Sequence, residues 1–373
     1  MSDTLQGKHA VAHLLRRAAF GPEARSWAAW RDLPYDEAVE RLLAGLDAPP
    51  PAEPAGFDPY VPGAIQQVWL DRMHAGEAPL AEKLALFWHG HFATSNAKIQ
   101  DPQLMWTQYG LFRSQGAGRF ADLLLAVSRD VAMIRWLDGN ANRKGHANEN
   151  YAREVQELFT LGRDQYTEQD IREIARAFTG WGSRHHDFVF RKHFHDDGEK
   201  TVHGRTGNFG GEDVVAMLCD LPACSRFLAA KLITFFSHPD PTADEVESLA
   251  KRMRETDLDI RKTLESIFRA PAFLDASRQR ALVRSPVEFV VAATRTAGLD
   301  AIPPDVHASQ DRCAQILFRP PTLKGWPSGT GWLSSGADVE RLRLAQRIAA
   351  QATDAATASI QETAFEGVKP DGL

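Results

Sequence analysis

The sequence predicts an all-α fold with one small β excursion near residues 187–204, and three observations carry that reading. Apolar residues recur at helical spacing along most of the chain: Leu80, Leu84, Phe87 and Trp88, then Tyr151, Val155, Leu158 and Phe159, then Ile171, Ile174, Ala175 and Phe178. Start signals agree with those periods. Thr167 with Asp170, Thr242 with Glu245, and Ser285 with Pro286 and Glu288 all have capping-box spacing, while Gly162 and Gly298 stand where helices should stop. The exception is Phe188-Val189-Phe190 followed by Thr201-Val202, which reads as a short hairpin turning around Asp196-Asp197-Gly198.

Each further element follows from the same signals. Helices are expected at about Asn150–Leu161, Ala223–Phe236, Ile260–Phe268 and Asp338–Ala350. Between Ala48 and Pro62, seven of fifteen residues are proline or glycine, so regular structure is not expected there. The chain of 373 residues thus divides into an N-terminal helical segment (1–47) packing on the body, a Pro-rich linker (48–62), a main helical domain (63–352) and a flexible C-terminal tail (353–373).

Composition narrows the function classes. Hydrophobic residues at 43% and charged residues at 25% are those of an ordinary globular protein. A net charge of −6 gives no global basic footprint for nucleic acid, and the longest apolar runs fall far short of the ~20 residues that span a bilayer. The N-terminus lacks the ordered basic, apolar and cleavage segments of a signal peptide, so a cytoplasmic location is expected. The three cysteines, 219, 224 and 313, lack metal-type spacing and read as small core residues.

Chemistry-bearing residues concentrate between His146 and Gly211. On helix Asn150–Leu161, a polar stripe of Asn150, Arg153, Glu154 and Glu157 runs beside the apolar one, with Glu154 on the border. Partial burial there would raise its pKa toward acid–base work; the bland alternative is a solvated face with an Arg153–Glu157 pair. Five of the thirteen histidines (185, 186, 193, 195, 203) fall within nineteen residues, beside Asp196 and Asp197. Imidazole and carboxylate suit proton transfer or a divalent metal, with His195, Asp196, His146 and His91 as candidate ligands, and turn-surface residues as the alternative.

The glycine-rich turn His203–Gly211 leads into a helix and, with Lys200 and Arg205, offers N–H groups and charge to an anion, although it matches neither nucleotide-binding glycine motif. His89 and His91, two apart on a helix, point about 200° apart and cannot share a metal while that helix continues. Trp326 and Trp332, in a Gly/Pro/Ser loop, suit the floor of a glycan or other planar ligand, or a core plug.

These blocks resemble a bacterial family catalogued as domain of unknown function 1800. The resemblance runs through His13-Leu-Leu-Arg-Arg-Ala-Ala-Phe-Gly21, Phe87-Trp-His-Gly-His-Phe92, Asn148–Glu154, Glu157–Gly162, Ala177–Trp181, His195–Lys200, Val283–Glu288 and Lys324-Gly-Trp-Pro327. It implies a bacterial source, one long helical unit, relatives that are often exported, and a sulfatase-like protein encoded nearby as partner. It supplies no catalytic residue. The residues themselves point to a hydrolase or lyase acting on a polar or anionic substrate, with Glu154 as general acid or base, His195 and Asp196 as proton-transfer pair, and Asn150, Arg153, Lys200, Arg205 and Trp326 binding substrate. The alternatives are a non-catalytic binding or assembly protein and a haem or metal cofactor protein.

Overall fold

Helix Pro79–His91 is apolar on nearly every face, and every residue of it but Pro79 and Gly90 is buried; a helix of that composition must lie inside the fold. It therefore carries polar side chains into the core, and each needs a partner. Glu82 accepts hydrogen bonds from Trp69 Nε1 (3.0 Å), Tyr109 Oη (2.9 Å) and Arg113 Nε (2.9 Å). Lys83 pairs with Glu288. His89 Nε2 accepts the Phe318 N–H at 2.9 Å, and burial drives its pKa down to about 3. His91 points the other way, into the site described below.

The computed structural model describes residues 4–303 and 315–352. It is helical throughout except for two small antiparallel hairpins. Capping boxes form as the spacing predicts at Thr167, Thr242 and Ser285, and Gly162 and Gly298 take the left-handed conformation that ends a helix. Helix Ile260–Phe268 has the predicted bounds, while the last helix begins earlier than expected, at Ser335, because Ser334 Oγ caps it. Cys313 and the segment 353–373 lie outside the described residues, and Cys224 is a buried free thiol.

The β excursion starts earlier than the sequence suggests. Trp181–Arg184 pairs with Asp187–Phe190, and Lys200–Val202 with Arg205–Gly207, so the chain reverses at His185-His186 and His203-Gly204. His185, His203 and Gly204 all have positive φ, as tight hairpin turns require. Asp196–Gly198 is instead a side-chain turn, with the Gly198 N–H donating to Asp196 Oδ1 at 2.9 Å.

One contiguous core runs from Val11 to Ile348, including helices Gly7–Ala18 and Tyr35–Ala44. The proline-rich stretch is an irregular strap across it. Proline has no N–H, so the strap's carbonyls are what must be satisfied. Arg72 donates to Pro51 O (2.6 Å) and Arg113 to Ala48 O (3.1 Å), while Trp106 Nε1 donates to Glu53 (2.8 Å). Among the described residues no helix is long and apolar enough to cross a membrane.

Candidate functional site

The helix carrying Glu154 is not uniform. It is α-helical over Asn150–Glu154 and π-helical over Val155–Thr160, with Leu161 N–H reaching back five residues to Gln156 O (2.8 Å). The wider turn breaks the i, i+4 register, so Arg153 and Glu157 do not pair. Arg153 instead grips Glu168 through two N–H bonds (3.0 and 3.1 Å), and Glu157 accepts from Arg163 Nε (3.0 Å) and Tyr166 Oη (2.8 Å). The last carbonyls of the helix lack helical partners, as at any helix end. His91 and Lys231 supply them.

His91 Nε2 donates to Phe159 O at 3.1 Å, which fixes the tautomer and leaves Nδ1 as an acceptor. Lys231 Nζ donates to that Nδ1 at 3.1 Å and to Leu158 O at 3.4 Å. Burial, then the Lys231 charge, hold His91 neutral, its pKa well below the ordinary histidine value. Burial also lowers Lys231 to about 8, and among the described residues no carboxylate pairs with it; its cation lies over the Phe227 ring, 4.8 Å from the centroid. A neutral amine has two N–H groups and one lone pair. His91 Nδ1 and Leu158 O can accept both of those N–H groups, which leaves the lone pair unengaged by either.

Lys231 and His91 line a cleft. A cavity of about 520 Å³ and a second of about 420 Å³ share His91, Phe227, Lys231 and Lys324 as lining. The loop Lys324-Gly-Trp-Pro327 closes over it because Gly325 can touch the helix backbone: a Cβ there would sit 2.5 Å from Gly90 O, and its φ is +81. Lys324 and Trp326 thereby border the same space, and the Trp326 indole packs edge-on against His89 with centroids 5.0 Å apart.

Two carboxylates of the Glu154 helix stand in different environments: Glu157 lines the smaller cavity, and Glu154 precedes it by three residues. Hydrogen bonding from Tyr166 and then Arg163 keeps Glu157 below the usual carboxylate range. Glu154 is half-buried and makes no hydrogen bond among the described residues; burial first, then the Glu157 charge, raise its pKa, with Arg153 and Lys324 acting weakly against this. The direction expected for Glu154 is therefore the one found. Carboxylates pushed apart in this way are the usual arrangement for acid–base work.

Other predicted site residues are committed elsewhere. Asp196 binds Arg176 (2.9 Å), which holds its carboxyl at about 2, and the Arg176–Asp196 pair docks the loop on helix Glu168–Ala177. His195 Nδ1 donates to Thr179 O (2.8 Å). Lys200 donates to the carbonyls of Asp196 (2.6 Å) and Gly198 (2.9 Å), and Arg205 lies 3.6 Å from Asp220. Asn150 donates to Asp138 (3.3 Å). His146 is exposed in a tight turn bridged to Arg143. The N–H of Gly210 donates to Asp213 (2.9 Å), so the acids of the following helix serve its own terminus.

The expected gathering of Glu154 with His195 and Asp196 is thus corrected: these loop residues satisfy backbone and arginine partners in folding the hairpins. His91, His146, His195 and Asp196 do not converge as metal ligands either, and no group of three His, Cys, Asp or Glu among the described residues is arranged to hold a metal. The sequence reading missed Lys231, whose signal was a lone lysine in the apolar run Leu228–Phe236.

No curated protein and no solved structure matches this chain. A family model, described as a protein of unknown function (DUF1800), matches residues 13–371. Spanning nearly the whole sequence, that match makes the chain a member of the DUF1800 family.

Proposed function

We propose that this protein is an enzyme of the hydrolase or lyase type, working on an anionic substrate in the cleft floored by His91 and Lys231. The observation that carries the reading is Lys231, an amine lowered to about 8, without a carboxylate partner among the described residues, whose N–H groups are engaged by His91 and Leu158. Such an amine is a competent base near neutral pH. In a hydrolase it takes a proton from the attacking water; in a lyase it takes a carbon-bound proton next to an acidic group of the substrate. Glu154 is the complementary acid, kept protonatable by burial and by the Glu157 charge. Lys324 and Arg17 take over the anion contacts first assigned to Lys200 and Arg205, and the indole of Trp326 offers a face to a planar or glycosidic body.

The test is turnover of a panel of chromogenic esters and unsaturable sugar acids bearing carboxylate, phosphate or sulfate groups. Lys231→Met and Glu154→Gln should each reduce the rate at least about 100-fold while leaving the fold intact. Activity that survives both substitutions sinks the reading. A cytoplasmic location and a sulfatase-like partner belong to the same proposal; fractionation of the source cells tests the first. Stoichiometric co-purification of a partner, with no turnover on the panel, would favour an assembly role instead.

A further inference from the structure

Around Arg17, which lines the larger cavity, stands an imbalance of charge. Helix Gly7–Ala18 delivers Arg16 and Arg17 from its last turn, the end at which the helix dipole favours cations. Arg280 and Arg284 arrive from the loop before helix Pro286–Thr296, and Lys83 from the central helix. Glu288 is the only carboxylate acting on Arg17, Lys83 and Arg284 among the described residues, and none acts on Arg16. Its charge is largely taken by the direct pair with Lys83. Arg17 is 8% exposed, lines the cavity, and donates to Phe235 O through one nitrogen while its Nε has no partner among the described residues. One Arg16 nitrogen is also buried without a partner.

Buried guanidinium groups without counter-charge are costly, and they occur where a ligand supplies the charge. The rest of the cavity says what accompanies that charge. Phe87, Phe235, Trp326 and Trp332 form apolar, planar walls, and the buried indole N–H of Trp326 has no acceptor among the described residues. Resting on the catalytic reading above, we infer that the substrate is an amphiphilic oxyanion: a phosphate or sulfate group seated at Arg17, carried on an aromatic or otherwise flat apolar body held between Trp326 and Phe235. The excess of several cations over one carboxylate matches a dianion better than a monoanion. The reacting bond then lies toward the Lys231 end of the cleft.

The test reads binding without turnover. At fixed ionic strength and pH 8, phenyl phosphate at saturation should raise the melting temperature by about 3 to 8 °C, inorganic phosphate or sulfate by less, and benzoate or chloride least. Arg17→Met should abolish the phenyl phosphate shift. Because Arg17→Met can also disturb folding, the wild-type chain provides a second measurement: phenylglyoxal labelling of Arg16 and Arg17, mapped by mass spectrometry, should slow at least about fivefold with phenyl phosphate present. Equal shifts with chloride, or no protection of these arginines, overturn the inference even where Lys231-dependent turnover is found. Protection without any turnover leaves this site standing and removes only the catalytic reading.

Discussion

Replacing Lys231 by methionine should make the protein more stable, which is the reverse of the usual result for a partly buried residue with hydrogen bonds. Lowering the amine from its ordinary 10.5 to about 8 corresponds to about 3 kcal/mol of folded-state penalty on the ammonium, at about 1.36 kcal/mol per tenfold. Methionine fills similar space without charge. It leaves His91 Nδ1 and Leu158 O without a donor, a loss of about 1 to 2 kcal/mol. The net gain is then about 1 to 2 kcal/mol at pH 7. The pH dependence fixes the cause. Below pH 8 the lysine is protonated in both folded and unfolded chains and the penalty is fully present. Between pH 8 and 10.5 the folded amine gives up its proton first, wild-type stability rises, and the advantage of the variant shrinks. Urea unfolding of both proteins at pH 7 and pH 10 measures this difference, in which the similarly lowered Lys83 cancels. A variant less stable by more than 1 kcal/mol at pH 7, with a gap independent of pH, would refute the argument and make Lys231 a structural residue.

Two further substitutions separate structure from chemistry. Glu288→Ala should cost about 3 to 5 kcal/mol in urea unfolding, because Lys83 and Arg17 remain buried without a carboxylate; pairing Glu288→Leu with Lys83→Met should recover most of it, and failure to do so would mean that Glu288 acts mainly through its cap on Ser285. Asp196→Asn should cost roughly 1 to 2 kcal/mol at pH 7 without changing turnover. Its carboxyl lies at about 2 in the folded chain, against an ordinary 3.8, so that stability is present above pH 4 and lost as pH falls toward 2. A variant whose deficit stays constant down to pH 2, or whose turnover falls in step with Lys231→Met, would restore the histidine loop as part of the site.

The sequence by itself determined the helices, their caps and stops, and the anomalous border position of Glu154. All of these depend on residues within about one or two turns of each other, where side-chain periodicity and local hydrogen bonding decide. It also singled out Trp326, in the loop Lys324-Gly-Trp-Pro327, as a candidate ligand floor. It misjudged the histidine-rich segment, since density of reactive side chains says nothing about which of them the backbone will consume. Thr179, Arg176 and the carbonyls of Asp196 and Gly198 engage His195, Asp196 and Lys200. Only the tertiary structure could assemble the candidate site, because its parts are Arg17, His91, Glu154, Lys231, Glu288 and Lys324, spread across most of the chain. What joins two of them is a π-helical turn whose last carbonyls face His91 and Lys231. The desolvation that lowers Lys231 comes from packing distant segments around it, a long-range property that residue spacing does not encode.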